Sequence, residues 1–304
     1  MNIYLSICIP TKGRLEIVKD TLDSIFLDTD VGYNDFEVVL SDNSDNDLLK
    51  DLLADYKQYP NIVYGKTTVE GFFNSINALQ MGKGCLLKLH NDYTRFNKTA
   101  LKRMIDFVKA EMAIRPMVFF SNNELKRKTV QRYRTFDEFS YDLSFLGTWS
   151  TGFAIWKEDF DKCSKTSLNK IFPHTSLLFE QHYQKSFVIN DEELFYNQTV
   201  YTKGGYNLFQ AFSVQYLNMV QNSFKEENLS KKTFDHIKSD LFNRFLITWY
   251  YNTKVAKNSY TYDLSGIKES VTIYYSVAQY YYMIGCAYLL SFLKKAKKLL
   301  TPAK

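Results

Sequence analysis

Gly84-Cys85-Leu86-Leu87-Lys88-Leu89-His90-Asn91-Asp92-Tyr93-Thr94-Arg95-Phe96-Asn97 is an apolar run that breaks off into polar residues. Cys85 to Leu89 has the pattern of a buried parallel strand, and His90-Asn91-Asp92 is the polar group it delivers. In open α/β sheets such groups collect at the carboxyl edge, where ligands bind. A hard carboxylate oxygen suits Mg²⁺ or Mn²⁺, so Asp92 is the first candidate to hold a divalent cation against a nucleotide diphosphate. The plainer reading is a polar turn that closes a strand.

The residues before this stretch favour the first reading. Ile3 to Ile9 is a β-branched, apolar run expected to stop at Pro10. Pro10-Thr11-Lys12-Gly13-Arg14 is a loop, and Leu15, Val18, Leu22, Ile25 and Phe26 follow at helical spacing. Phe36 to Leu40 is a second strand, ending at Ser41-Asp42-Asn43-Ser44-Asp45. A helix through Leu48, Leu52 and Tyr56, a third strand at Asn61 to Tyr64, and a helix at Phe72 to Met81 complete the approach. The first 92 residues thus alternate β-α-β-α-β-α-β, which calls for a parallel sheet covered by helices. Right-handed crossovers bring Thr11, Arg14, Asp42, Asp45, His90, Asn91 and Asp92 to one edge.

These pieces resemble the nucleotide-sugar-binding half of glycosyltransferase family 2, the GT-A fold. The likeness rests on Ile9-Pro10-Thr11 with Arg14, on Leu40-Ser41-Asp42-Asn43-Ser44, and on Gly71 to Gly84 (GFFNSINALQMGKG). His90-Asn91-Asp92 stands where the family has Asp-x-Asp. The resemblance covers residues 1–125 and implies a nucleotide-diphosphate-sugar donor with Mn²⁺ or Mg²⁺. It places Pro10, Thr11, Arg14, Asp42, Asn74, His90 and Asn91 around the donor and Asp92 on the metal. His90 replaces the first acidic residue. Alternatively, Asp42 closes an Asx-turn and Arg14 makes a surface ion pair.

Asn97 to Met112 has amphipathic helical spacing, and Met117 to Phe120 is a further strand. Ser121 to Tyr141 shows no period and is expected as a hairpin or a flexible loop over the site. Thr148 to Trp156 looks like the family's acceptor-side strand, with Trp149 either stacking on a sugar or buried in the core. The resemblance implies a general base at the start of the next helix, where Pro173-His174 stands. An imidazole with a pKa of about 6.5 can accept a hydroxyl proton at cellular pH. His174 is therefore the base candidate, or else a helix-cap histidine. Glu180, Asp159 and Asp191-Glu192-Glu193 are the fallbacks. Gly204-Gly205-Tyr206 reads as a turn or loop near the end of the catalytic domain, giving 1–205 (donor half 1–125, acceptor half 126–205) and a helical region 206–304.

That region carries helical patterns at Phe209 to Phe224, Phe234 to Tyr251 and Ile267 to Leu300. Tyr280 to Leu293 is weakly polar and too short to span a bilayer. It runs into Lys294, Lys295, Lys297 and Lys298, with Lys304 at the end. It suits a helix in the plane of an anionic membrane surface, or one packed on the catalytic domain or on a second subunit.

Composition narrows the alternatives. The chain has 304 residues, 23% charged and 45% hydrophobic, which is globular rather than disordered. A net charge of +5, gathered largely at one end, is no nucleic-acid footprint. Cys8, Cys85, Cys163 and Cys286 form no CxxC pair and read as core thiols in a reducing compartment. No signal peptide is visible. The expectation is a metal-dependent, inverting glycosyltransferase that acts on a glycan or lipid-linked glycan. Its expected setting is bacterial surface polysaccharide synthesis, in the cytoplasm or on the inner membrane face. The rivals are a nucleotidyltransferase and a degenerate transferase that only binds glycan or protein. A Rossmann dehydrogenase is disfavoured because no G-x-G-x-x-G follows the first strand.

Overall fold

The computed structural model describes residues 3–27, 30–200 and 203–300, with backbone alone for 297–300. The chain divides into two compact units, Met1–Thr199 and Val200–Lys304.

The first unit is built on β1 (Leu5–Thr11), β2 (Phe36–Asp42), β3 (Ile62–Lys66) and β4 (Leu86–Leu89). Between them run α1 (Leu15–Phe26), α2 (Leu48–Leu52) and α3 (Asn74–Met81). Next come β5 (Thr94–Phe96), α4 (Ala100–Glu111), β6 (Met117–Phe120), β7 (Val130–Tyr133), α5 (Phe136–Leu143), β8 (Ala154–Trp156) and α6 (Lys157–Lys162). The unit closes with α7 (Pro173–Glu180), β9 (Phe187–Asn190) and β10 (Phe195–Asn197).

The main sheet has the order β3-β2-β1-β4-β8. Its first four strands are parallel, as their unbroken apolar runs require, and β8 joins antiparallel to β4. A second sheet, β6-β9-β7, and a β5–β10 pair lie beyond it. Leu5, Ile7 and Ile9 alternate onto the face that shares a core with Val18, Leu22 and Ile25 of α1 and Leu101, Met104 and Val108 of α4. Each such side chain, fully buried, contributes about 1.5–3 kcal/mol. Helix α3 packs against β1, β2 and β4. Gly84 lets β4 begin close to β1: a Cβ there would sit 2.7 Å from the Ser6 backbone nitrogen. The Ser6 hydroxyl instead accepts from the Gly84 amide at 2.8 Å and donates to buried Glu37 at 2.6 Å.

Several boundaries differ from the sequence reading. β1 runs through Pro10 to Thr11 instead of stopping at Pro10. Pairing with β4 ends at Cys8–Leu89, whereas pairing with β2 continues to Thr11–Asp42. The amide that Pro10 lacks would face the side where β4 has already finished, so its loss costs no ladder bond. Ser121 to Tyr141 is neither a simple hairpin nor a free loop. Asp191 Oδ1 accepts from Ser121 Oγ at 2.5 Å and Oδ2 accepts from the Arg127 amide at 2.8 Å, which pins the turn. The segment then forms β7, antiparallel to β9, and enters α5, where Thr135 Oγ1 accepts from the Glu138 amide.

The second unit is mostly helical, but Gly204-Gly205-Tyr206 is not the expected turn. β11 (Gly204–Asn207) pairs in parallel with β12 (Thr261–Asp263). Gly204, at φ +155, lies so close to β12 that a Cβ would meet the Thr261 carbonyl carbon at 2.4 Å. Helical segments cover 208–225 and 231–255, interrupted by π-helical turns at Ala211–Tyr216, Leu241–Leu246 and Tyr251–Val255. The helix read as Ile267 to Leu300 is two: Ile267–Val271 and Val277–Leu300. Ser276 and Gln279 form a capping box at the second start, Oγ accepting from the Gln279 amide at 3.1 Å and Oε1 from the Ser276 amide at 2.9 Å. Among the described residues, no helix is long and apolar enough to cross a membrane.

Candidate donor site at the carboxyl edge

The tips of β1, β2 and β4 meet where the sequence places its polar groups. Parallel register sets Thr11 opposite Asp42, and β4 ends beside Cys8, so the turn after Leu89 folds back toward Thr11. Thr11 Oγ1 donates to Asp92 Oδ2 at 2.9 Å. Arg14, just before α1, brings Nε to the same oxygen at 3.2 Å, and its guanidinium lies 5.7 Å from the Tyr93 ring centroid. Thr21 of α1 donates to the Asp92 carbonyl at 2.9 Å, which ties the turn down from below. Asp92 is 2% exposed. Burial raises its pKa above the usual carboxylate value, against the opposing pull of Arg14 and Thr11.

Asp42 is fully buried at the tip of β2. Oδ1 accepts from the Ser44 amide at 2.9 Å and the Ser44 hydroxyl at 2.6 Å, which is the Asx-turn geometry. Oδ2 accepts from Tyr64 Oη at 3.0 Å and pairs with Lys66 Nζ at 3.3 Å. Burial alone would push this carboxyl up, but the Ser44, Tyr64 and Lys66 bonds outweigh it and hold the pKa low.

The other expected donor contacts hold structure together. Asn74 Nδ2 donates to the Ser41 carbonyl at 2.9 Å and Oδ1 accepts from Ser41 Oγ at 2.5 Å, so the side chain is spent on β2. Asn91 Nδ2 donates to Tyr93 Oη at 2.8 Å, and Oδ1 accepts from Ser150 Oγ at 2.8 Å. The Asn91 amide donates to Thr151 Oγ1 at 3.2 Å, completing a staple between the Asp92 turn and residues 150–151. His90 has no exposed edge to offer a ribose or sugar. Nε2–H donates to the Thr94 carbonyl at 2.7 Å, and the ring sits against Phe96 and Phe195. Burial and nearby Lys88 drive its pKa well below the usual imidazole value, so it is neutral.

His174 is also displaced from its expected part as general base. It is 4% exposed at the start of α7, its Nε2–H donates to the Thr148 carbonyl at 3.0 Å, and burial lowers its pKa to about 4. With Thr175 Oγ1 donating to the Gly147 carbonyl at 3.0 Å, it moors α7 to residues 144–148. Of the fallback bases, Asp191 is buried in the 121–128 turn, Glu180 accepts from the Ser164 amide, and Glu192 pairs with Arg103. Trp149 is partly buried and packs on Phe195.

Lys88 was overlooked in the apolar run. It is fully buried in β4, donating to the Leu89 carbonyl at 3.0 Å and the Thr151 carbonyl at 2.7 Å, and facing His90 Nδ1 at 3.4 Å. Burial pulls its pKa down to about 7. A lone charge inside an otherwise apolar strand was the available signal. Lys66 was overlooked because the third strand extends two residues beyond Tyr64, and Tyr64 because it counted only as part of the apolar run.

Among the described residues, no cluster of three or more His, Cys, Asp or Glu is placed to hold a metal. A cation carried in with a diphosphate needs only one or two carboxylates, because phosphate oxygens and water fill the remaining positions. Asp92 fits that arrangement, since Thr11 and Arg14 both engage Oδ2 and neither claims Oδ1.

Comparison with known proteins agrees with this fold. The fold is similar to that of S. aureus TarS 1-349 in complex with UDP-GlcNAc, at TM-score 0.59 and 16% identity over 83% of this chain and 76% of that one. It is also similar to the mannosyltransferase PcManGT from Pyrobaculum calidifontis in complex with GDP-Man and Mn2+. There the TM-score is 0.52 and the identity 14%, over 97% of this chain and 88% of that one. No curated protein sequence matches the chain. The family model described as "Glycosyl transferase family 2" matches residues 6–164, which carry every strand tip described above. The chain is thus a glycosyltransferase of GT-A fold and belongs to glycosyl transferase family 2.

Proposed function

We propose that the chain transfers a sugar from a nucleoside diphosphate sugar to a hydroxyl of a glycan, with inversion, in the assembly of a bacterial surface polysaccharide at the inner membrane face. The observation that carries the donor reading is the convergence of Thr11, Arg14 and Asp92 on one carboxylate oxygen beside the buried Asp42. Support also comes from the two similar structures, which hold UDP-GlcNAc and GDP-Man.

In this reading Tyr64 and Lys66, held in place by buried Asp42, receive the nucleoside. Arg14 supplies a bidentate cation for the diphosphate. Asp92 is the protein ligand of a Mg²⁺ or Mn²⁺ that enters with the donor. That ion would neutralise the charge developing on the diphosphate as the glycosidic bond breaks. The Asn91–Ser150–Thr151 staple holds the donor edge in register with the segment preceding β8. Proton removal from the acceptor hydroxyl falls to a group other than His174 as it is placed here.

A thermal-shift screen of UDP, GDP and their sugar conjugates, with and without Mn²⁺, tests the reading. At a ligand concentration of about 100 Kd, the stabilisation is about 2.7 kcal/mol. A shift that requires both nucleotide and Mn²⁺, and that disappears in Asp92→Asn, is the expected result. Stabilisation indifferent to Mn²⁺ and to residue 92 refutes the metal assignment. Release of pyrophosphate rather than nucleoside diphosphate on turnover refutes glycosyl transfer itself.

A further inference from the structure

Between Tyr281 and Leu293 the outward face of the helix Val277–Leu300 is apolar and aromatic. Tyr281, Tyr288 and Phe292 are 58%, 60% and 68% exposed, and Tyr282, Leu289 and Leu293 are exposed beside them. At about 100° per residue these six side chains fall on one stripe, opposite the buried Met283 and Ala287. Exposed Ile273 and Val277 extend the surface at its start. Such a continuous apolar surface calls for an occupant.

Charge identifies the occupant. Residues 200–304 contain 14 Lys and Arg against 6 Asp and Glu, whereas residues 1–199 contain 24 against 27. Residues 270–304 contain no Asp or Glu at all. The stripe is bounded by cations at both ends: Lys268 Nζ lies 5.6 Å from the Tyr281 ring centroid, and exposed Lys295 follows Leu293, while Lys294 turns to the Tyr251 ring at 4.2 Å. A second copy docking on this face would bring apolar surface but no carboxylate from this segment to meet the lysines. An anionic lipid surface supplies both. Its headgroups pair with the lysines, and its interfacial zone suits tyrosine rings that are apolar in body and polar at the tip.

We infer that this face docks the protein in the plane of an anionic membrane surface, with Tyr281, Tyr288, Leu289, Phe292 and Leu293 seated among the headgroups. The helix does not cross the bilayer. The charge-free part from Val277 to Leu293 spans about 25 Å at 1.5 Å per residue, short of a hydrocarbon core of roughly 30 Å. The inference is independent of which donor or metal the first unit binds.

Sedimentation of the full chain with vesicles tests it, comparing phosphatidylcholine alone with vesicles holding about 30% phosphatidylglycerol, the anionic class that draws juxtamembrane lysines. At least tenfold stronger binding to the anionic vesicles is expected, weakening several-fold in about 0.5 M NaCl as screening shortens the reach of the lysines. The triple variant Tyr281→Ser, Phe292→Ser and Leu293→Ser should bind at least tenfold more weakly while keeping the wild-type melting temperature and nucleotide response. A charge variant, Lys268→Glu with Lys295→Glu, provides a second test should the triple variant fail to fold. Equal binding to both vesicle types, no binding, or unaltered binding by the folded variants overturns the inference. A concentration-dependent dimer that the same substitutions abolish, in the absence of any vesicle effect, assigns the face to a second copy instead and equally overturns it.

Discussion

Replacing Lys88 by methionine should change how stability depends on pH more than it changes stability at any one pH. Folding takes the ammonium from a pKa of 10.5 to about 7. The difference, about 3.5 units at 1.36 kcal/mol each, makes the buried charge cost about 5 kcal/mol. Methionine removes that cost but leaves the Leu89 and Thr151 carbonyls and His90 Nδ1 without their donor. Each orphaned acceptor costs about 1–3 kcal/mol, so the two effects nearly cancel at neutral pH. The slope does not cancel. Between pH 7 and 10.5 the unfolded lysine binds a proton that the folded one has released, so stability rises with pH. Below pH 7 both states are protonated and the cost is fully present. Cys8, raised by burial, opposes the trend once its unfolded thiol ionises at about pH 9, which limits the clean window to pH 7–9. Over those two units the wild type should gain about 2–3 kcal/mol more than Lys88→Met. Urea unfolding of both proteins at pH 7, 8 and 9 measures the difference. Parallel curves for the two proteins would show that the ammonium is not desolvated in β4.

Four further outcomes follow from the geometry. Arg14→Gln removes the cation that shares Asp92 Oδ2. Nucleotide affinity in the presence of Mn²⁺ should fall about tenfold or more by calorimetry, and unchanged affinity counts against Arg14 as the diphosphate contact. His174→Gln keeps an N–H for the Thr148 carbonyl, so transfer rates should stay within about tenfold of wild type. A loss in the 10²–10⁴-fold range of general base removal would restore the catalytic role. Asp42→Asn replaces the carboxylate that pairs with Lys66, and nucleotide affinity should fall about tenfold or more by calorimetry, with Mn²⁺ dependence preserved. Gly204→Ala places a methyl group where β12 passes and should destabilise the second unit by about 1–3 kcal/mol in differential calorimetry, whereas Gly205→Ala meets no atom and tests only the positive φ.

The parallel sheet was legible because its strands carry runs too apolar to face water, and the edge residues followed from right-handed crossovers alone. Thr11, Arg14, Asp42 and Asp92 came together as their positions at strand ends required. Burial of polar side chains at those same ends could not be read from the chain. His90, Asn74 and His174 have the chemistry of ligands, yet the nearest carbonyls of Thr94, Ser41 and Thr148 claim them. Such long-range pairing leaves no periodic trace. Ser276-Val277-Ala278-Gln279 did carry a local trace, a capping box, and it divides what the apolar pattern alone joined into one helix. Pro10 misled in the other direction, since a proline stops a strand only where a neighbour needs its amide.

The wide turns at 211–216, 241–246 and 251–255 each accommodate one residue beyond an ordinary helical repeat. Every such surplus rotates the side chains that follow by about 100° relative to those before. The buried positions of 231–255 accordingly step by four before the first bulge, at Thr233, Ile237 and Leu241, and by five across it to Leu246, like a screw whose thread has been restarted. Excising one residue from a bulge would restore the even thread and leave the downstream flank aimed at the wrong neighbours. Length in this segment is consequently as strictly specified as residue type.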